Sequence, residues 1–194
     1  MRVVNTMDET QLREKFCLAL RQLWTRGMII GADGFLSCEV HRRRYLATPA
    51  DRRRVDLEPA DLICVDIGGD NVNSGEGVPM DIWQPHRDAY QTHQDPASGT
   101  LGATALIEPA NVLALLSKQD GQADLNLGAG GTIPIVNTPI DASLKHVLSD
   151  KTEVLFRGHG PGRGLFLAAA DLPTLLNRIE RIDLAAAVML AAGR

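Results

Sequence analysis

The sequence predicts an α/β or α+β domain in which helices sandwich one sheet, and three observations carry that expectation. Apolar residues recur at helical spacing near both ends of the chain, at Leu12 to Trp24 and at Leu172 to Leu190, so each of these helices offers one face to a core. Between them lie short apolar runs separated by turns rich in glycine, proline and asparagine, the pattern of strands. In the segment from Asp61 to Ile67, residues 63, 65 and 67 share one face while Leu62 and Cys64 share the other. Both faces are apolar, so layers are expected on both sides of the sheet. With 194 residues, no linker and no low-complexity tract, a single domain over 1–194 is expected.

The elements follow in order. Leu12, Phe16, Ala19, Leu20, Leu23 and Trp24 form the stripe of the first helix, Thr6 with Glu9 resembles a capping box at its start, and Gly27 is placed to end it. After a turn at Gly31 to Gly34, Phe35 to Val40 and Tyr45 to Thr48 read as two strands, followed by the strand within Asp61 to Ile67. A glycine-rich loop from Gly68 to Gly77 precedes a helix over Ile82 to Gln94. Gly102 to Ile107 reads as a strand, and Pro109 suits the first turn of a helix whose apolar face is Val112, Leu115 and Leu116. Gly121 to Gly131 reads as a loop, Thr132 to Asn137 as a strand, Ile140 to Leu148 as a short helix, and Val154 to Phe156 and Leu165 to Ala168 as strands. In the last helix Asp171 is the N-cap and Pro173 lies in the first turn.

Composition narrows the function classes. Hydrophobic residues make up 44% of the chain and charged residues 23%, and the formal net charge is -4. A globular protein is expected, with no nucleic acid as partner, because phosphate-backbone binding needs clustered positive charge. The runs Arg42-Arg43-Arg44 and Arg52-Arg53-Arg54 depart from that balance; they read as solvated turns or, alternatively, as an anion or partner site. Cys17, Cys38 and Cys64 form no CxxC pair, which suits reduced thiols and a cytoplasmic location. No apolar stretch approaches the length of a membrane span, and the N-terminus lacks a signal-peptide core. Gly128 to Gly131 is a glycine cluster without the lysine that a phosphate-binding loop requires, so it reads as a loop.

Several separated pieces in one order resemble the class II aldolase and adducin family. Gly31-Ala32-Asp33-Gly34-Phe35-Leu36-Ser37 looks like its Gly-Asn turn and strand, and Thr48-Pro49-Ala50-Asp51 looks like its Thr-Pro-Ser-Gly. Pro79-Met80-Asp81-Ile82, then His86 and Tyr90, are similar to its Pro-Ser-Ser-Glu followed by His and Tyr; Arg157-Gly158-His159-Gly160 resembles its Asn-His-Gly. The resemblance implies a three-layer α/β/α fold with a mostly antiparallel central sheet, and a homo-oligomer, often a tetramer, with sites between subunits. It also implies zinc or another divalent metal on three histidines, two from a His-x-His strand, acting as Lewis acid beside a proton-moving glutamate.

This chain departs from that pattern. The strand that would carry His-x-His reads Thr100-Leu101-Gly102-Ala103-Thr104-Ala105-Leu106-Ile107-Glu108, and the glutamate position is Ile82. Asp81 beside it is the candidate catalytic carboxylate, although one residue of offset turns a helical side chain by about 100 degrees, and an N-cap role suits it better. Gly34, Asp51, Arg52 and His86 are the candidate ligand-binding residues. His159 is the candidate metal ligand, with His86 and Asp81 or His93 as conceivable partners, while a structural hydrogen bond is its simpler role. The expectation is a non-catalytic binding or scaffolding protein with no cofactor, open to a small-molecule ligand and without a membrane partner. The alternative is a metal-dependent lyase or epimerase with a rebuilt site. Asp51 and Asp81 are expected to repel a phosphate, unless the arginine run at 52–54 turns inward.

Overall fold

The computed structural model describes residues 8–41, 43–73, 77–92, 101–118, 123–128, 131–136, 152–156 and 164–193. Its first helix, α1, spans Glu9–Thr25 and buries Phe16, Cys17, Ala19, Leu20 and Leu23. Asp8 stands at the N-cap without a side-chain cap bond, and Thr6 of the expected capping box lies outside the described residues. Gly27, at a φ of 70°, ends the helix as expected, its N–H bonded back to the carbonyl of Trp24. Trp24 is a correction to the predicted stripe, since 39% of it stays exposed. One residue beyond Leu23, it has rotated off the buried face.

The described residues hold eight strands: β1 (Phe35–His41), β2 (Arg44–Ala47), β3 (Ile63–Val65), β4 (Ala103–Ile107), β5 (Asp124–Asn126), β6 (Thr132–Val136), β7 (Glu153–Phe156) and β8 (Gly164–Ala169). They form one sheet in the order β3-β2-β1-β4-β8-β7-β6-β5. Only the β6/β7 pair is parallel, and the other described pairs are antiparallel. Strand β5 lies in the stretch expected to be loop only. Its three residues alternate exposed, buried, exposed, too short a run for periodicity alone to reveal.

Among the described residues three further α-helices pack on the sheet: α2 (Met80–Thr92), α3 (Ala110–Ser117) and α4 (Leu172–Ala191). One core joins α1, α3 and α4 to a sheet face through Leu36, Cys38, Ala103, Ala105, Ile107, Leu165 and Leu167. A second core packs α2 on the opposite face through Phe35, Tyr45, Val65, Leu106 and Phe166. The alternation of these residues along β1, β4 and β8 is the period-two pattern of strands covered on both sides. Pro109 serves as N-cap of α3, one position before its predicted place in the first turn. Asp171 caps α4 as expected, its side chain accepting from the Thr174 N–H at 2.8 Å, a contact worth about 1 kcal/mol. The helix expected over Ile140 to Leu148 lies outside the described residues. No helix among the described residues is long and apolar enough to cross a membrane.

Candidate functional site

Two turns at one end of the sheet and the helix α2 carry the residues singled out above. Strand β1 is entered from the turn at Gly31 to Gly34, and β2 leaves into Thr48 to Asp51. Gly34 has a φ of 80°, and a Cβ there would come within 2.6 Å of Ile29, so glycine is required on two counts. The two turns are tied to β1 and to each other. The Thr48 N–H donates to the Leu36 carbonyl at 3.1 Å, and the Leu36 N–H donates to Thr48 Oγ1 at 3.3 Å.

The tie between the turns is Arg54, which sequence reasoning placed on a solvated run. It is only 3% exposed. Its Nε donates to the Gly34 carbonyl at 2.7 Å, and its Nη1 donates to the carbonyls of Pro49 and, at 2.8 Å, of Arg52. Burial pulls its pKa down to about 10, with Asp33 and Asp51 pushing the other way, so it stays cationic at neutral pH. Of the arginine run at 52–54, Arg54 is the residue that turns inward. Arg52 points elsewhere, in a 2.7 Å ion pair with Asp61, and Arg53 pairs with Asp56 at 3.3 Å. Asp51 is exposed.

On the other side of β1, α2 places His86 and Tyr90 one turn apart and both inside the protein, at 0% and 3% exposure. His86 Nδ1 lies 3.1 Å from Ser37 Oγ and 2.7 Å from Thr104 Oγ1. The two hydroxyls are 2.7 Å apart, and Tyr90 Oη reaches Ser37 at 3.1 Å. Thr104 Oγ1 also donates to Tyr90 Oη at 3.3 Å, so the four side chains form one closed network in which the role of Nδ1 follows the ring tautomer. Nε2 has no hydrogen-bond partner among the described residues. The ring stacks on Trp83 with 5.9 Å between centroids and meets Phe35 and Phe166 edge-on. Burial depresses its pKa to about 3. Expected as a ligand-binding residue, His86 is thus placed in the interior, where no face of the ring is open to solvent. Its partners Ser37 and Thr104 were not anticipated, although both are hydroxyls at inward positions of apolar strands.

Asp81 lies inside the first turn of α2, one residue after its first residue Met80, and so is not the N-cap; its side chain is outside what is described. His159 and His93 also fall outside the described residues. Ala103, Ala105 and Ile107 of β4 are buried in the core beneath α3 and α4, and Thr104 belongs to the hydroxyl network. These side chains do not fit a three-histidine zinc site, for an alkyl group offers no lone pair. Among the described residues no group of three or more His, Cys, Asp and Glu could hold a metal. Cys38 and Cys64, predicted as small core residues, are buried, and burial raises both thiols.

Comparison with known proteins agrees with this architecture. The family model for the class II aldolase and adducin N-terminal domain matches residues 14–190. Among solved structures, YgbL of Klebsiella pneumoniae, described as a candidate aldolase/epimerase/decarboxylase, shares 24% identity at a TM-score of 0.77, covering 97% of this chain and 92% of its own. The L-fuculose-1-phosphate aldolase of Thermus thermophilus gives 18% and 0.75, over 95% of this chain and 97% of its own. A sugar-phosphate aldolase from Thermotoga maritima gives 17% and 0.72, over 96% and 97%. At these identities the structures speak for the fold alone. No curated protein sequence matches the chain. With the family model spanning nearly its whole length, the chain belongs to the class II aldolase and adducin N-terminal domain family.

Proposed function

We propose that this protein is a binding or scaffolding member of its family, a single cytoplasmic domain that has given up metal-assisted aldol chemistry. The observation that carries the proposal is the chemistry of β4. Where the resemblance asks for His-x-His, the strand offers alkyl side chains and one hydroxyl already engaged by His86. At the glutamate position the side chain is that of Ile82, which moves no proton. His159 alone supplies one ligand where a Lewis-acidic zinc needs three. Protein purified without chelator should hold well under one zinc ion per chain and should not cleave sugar phosphates. About one ion per chain, lost on His159→Ala, would overturn the proposal in favour of a rebuilt metal site.

Self-association is part of the same reading, since the resemblance places the family's cleft between subunits. Trp24 at 39% exposure, with Leu184 and Val188 more exposed still, offers apolar surface for it. Light scattering at micromolar concentration should give a mass above one chain, and a clean monomer would remove this part of the reading.

A further inference from the structure

We propose that the tip of the β1–β2 hairpin, at Arg43 and Arg44, is a docking surface for an acidic protein segment. The proposal rests on the binding reading above and names a kind of partner for it. Of the two arginine runs, the one at 52–54 is engaged within the protein, in ion pairs to Asp61 and Asp56 and on three backbone carbonyls. The run at 42–44 is placed differently. Arg43 and Arg44 are exposed, and Arg44 forms no hydrogen bond or ion pair among the described residues. Tyr45 pairs with Val65, which sets Asp66 beside Arg44 in register. That carboxylate is turned to its own loop, where Oδ1 accepts from the N–H groups of Gly68 at 2.7 Å and Asp70 at 3.2 Å.

The turn is built against its backbone preference. His41 pairs with Arg44, so the hairpin closes through Arg42 and Arg43, a place ordinarily taken by asparagine and glycine; Arg42 lies outside the described residues. Arg43 holds a φ of 68°, and every other positive φ among the described residues belongs to a glycine. Glycine adopts that conformation without penalty, whereas a Cβ crowds the neighbouring carbonyl. A cation held there in place of glycine, exposed to solvent, points to use outside the fold, since strained residues gather at functional sites. The tip is also remote from the turns at 31–34 and 48–51. They lie at the opposite end of β1, which runs from Phe35 to His41, and at about 3.3 Å per residue its ends are roughly 20 Å apart.

Charge decides the kind of partner. An exposed guanidinium gains little from one small anion in water, so the partner must present several negative charges at once. The surroundings limit how far those charges extend. The chain is acidic overall, with a formal net charge of -4, and Glu39 and Asp66 flank the tip. A nucleic acid carries a phosphate at every nucleotide and would run past the two arginines onto these carboxylates, where it is repelled. A short acidic stretch of protein, bounded by neutral residues, meets the cations alone.

The test is fluorescence anisotropy at low salt, with the intact protein titrated into labelled hexaglutamate and, separately, into a labelled single-stranded oligonucleotide of similar charge. Hexaglutamate should bind saturably, more tightly than the oligonucleotide, and with an affinity that falls as salt is added. Arg44→Glu should weaken the peptide about tenfold or more. Arg43→Gly should weaken it about three-fold while raising the melting temperature by about 1–3 °C, a combination that an arginine with a purely structural role does not give. Absence of saturable peptide binding, or an affinity unchanged in both variants, would overturn the docking surface. Tighter binding of the oligonucleotide would overturn the class of partner. Zinc content and sugar-phosphate cleavage decide the non-catalytic reading and do not depend on the hairpin tip, so the two failures are distinguishable.

Discussion

Trp83→Ala is expected to destabilise the protein by about 3–5 kcal/mol, the range for emptying a buried large aromatic position. Trp83 is 0% exposed and is the hub of the second core. It lies edge-on to Phe35 at 6.4 Å and to Tyr45 at 5.7 Å, and it stacks on His86. Its Nε1–H donates to the Ile67 carbonyl at 3.0 Å, so truncation also strands a carbonyl and adds the loss of a hydrogen bond to that of the packing. The backbone holds the site tightly, because a Cβ at Gly69 would lie 2.7 Å from the indole, and little collapse into the vacated space is available to soften the loss. Urea denaturation followed by far-ultraviolet circular dichroism measures the change. A shift below about 1 kcal/mol would mean that α2 does not rest on the sheet through this residue. Trp83→Phe should retain most of the stability by preserving an aromatic contact with His86 and Tyr45.

Acidification is expected to remove a comparable amount, through His86. Its folded-state pKa, about 3, lies below the ordinary value of 6.5, so the native protein favours the neutral ring. The sign follows directly. Above pH 6.5 both states hold the neutral imidazole and its contribution to stability is fully present; as pH falls from 6.5 toward 3 the unfolded chain takes up a proton that the folded protein refuses, and stability declines. At about 1.4 kcal/mol per unit of depression, the loss by pH 4 is on the order of 3 kcal/mol. Among the described residues, the groups around the ring supply no counter-charge. They are Ser37 and Phe35 from β1, Thr104 from β4, Phe166 from β8, and Trp83 and Tyr90 from α2, of which Tyr90 alone titrates, with burial raising it well above its usual value. Comparing the pH dependence of unfolding for the parent protein with that of His86→Gln isolates the effect, since the carboxylates contribute equally to both. Equal slopes between pH 7 and 4 would contradict it. In the intact protein the imidazole carbon-bound proton signals of His86 should stay at their neutral shifts down to about pH 4.

The layers of this protein were legible in its residues alone. Helical stripes in α1 and α4, the cap at Asp171, and strands that are apolar on both faces leave few arrangements other than one sheet between helices, because period and burial are local properties of the chain. The absence of histidine from residues 100–108 is equally a sequence fact, since no fold can restore a side chain that is not there. Where charge and polarity went was settled only by the folded chain. Arg54 and Arg52 stand in one run of three arginines, yet one is buried against three carbonyls and the other lies in an exposed ion pair. What separates them is the proximity of Gly34, twenty residues back in the chain. His86 likewise reads as a helix-start histidine until β1 and β4 bring Ser37 and Thr104 against it from 49 residues before and 18 after. Burial of a polar group depends on partners distant in sequence, and only the closed sheet brings those partners together.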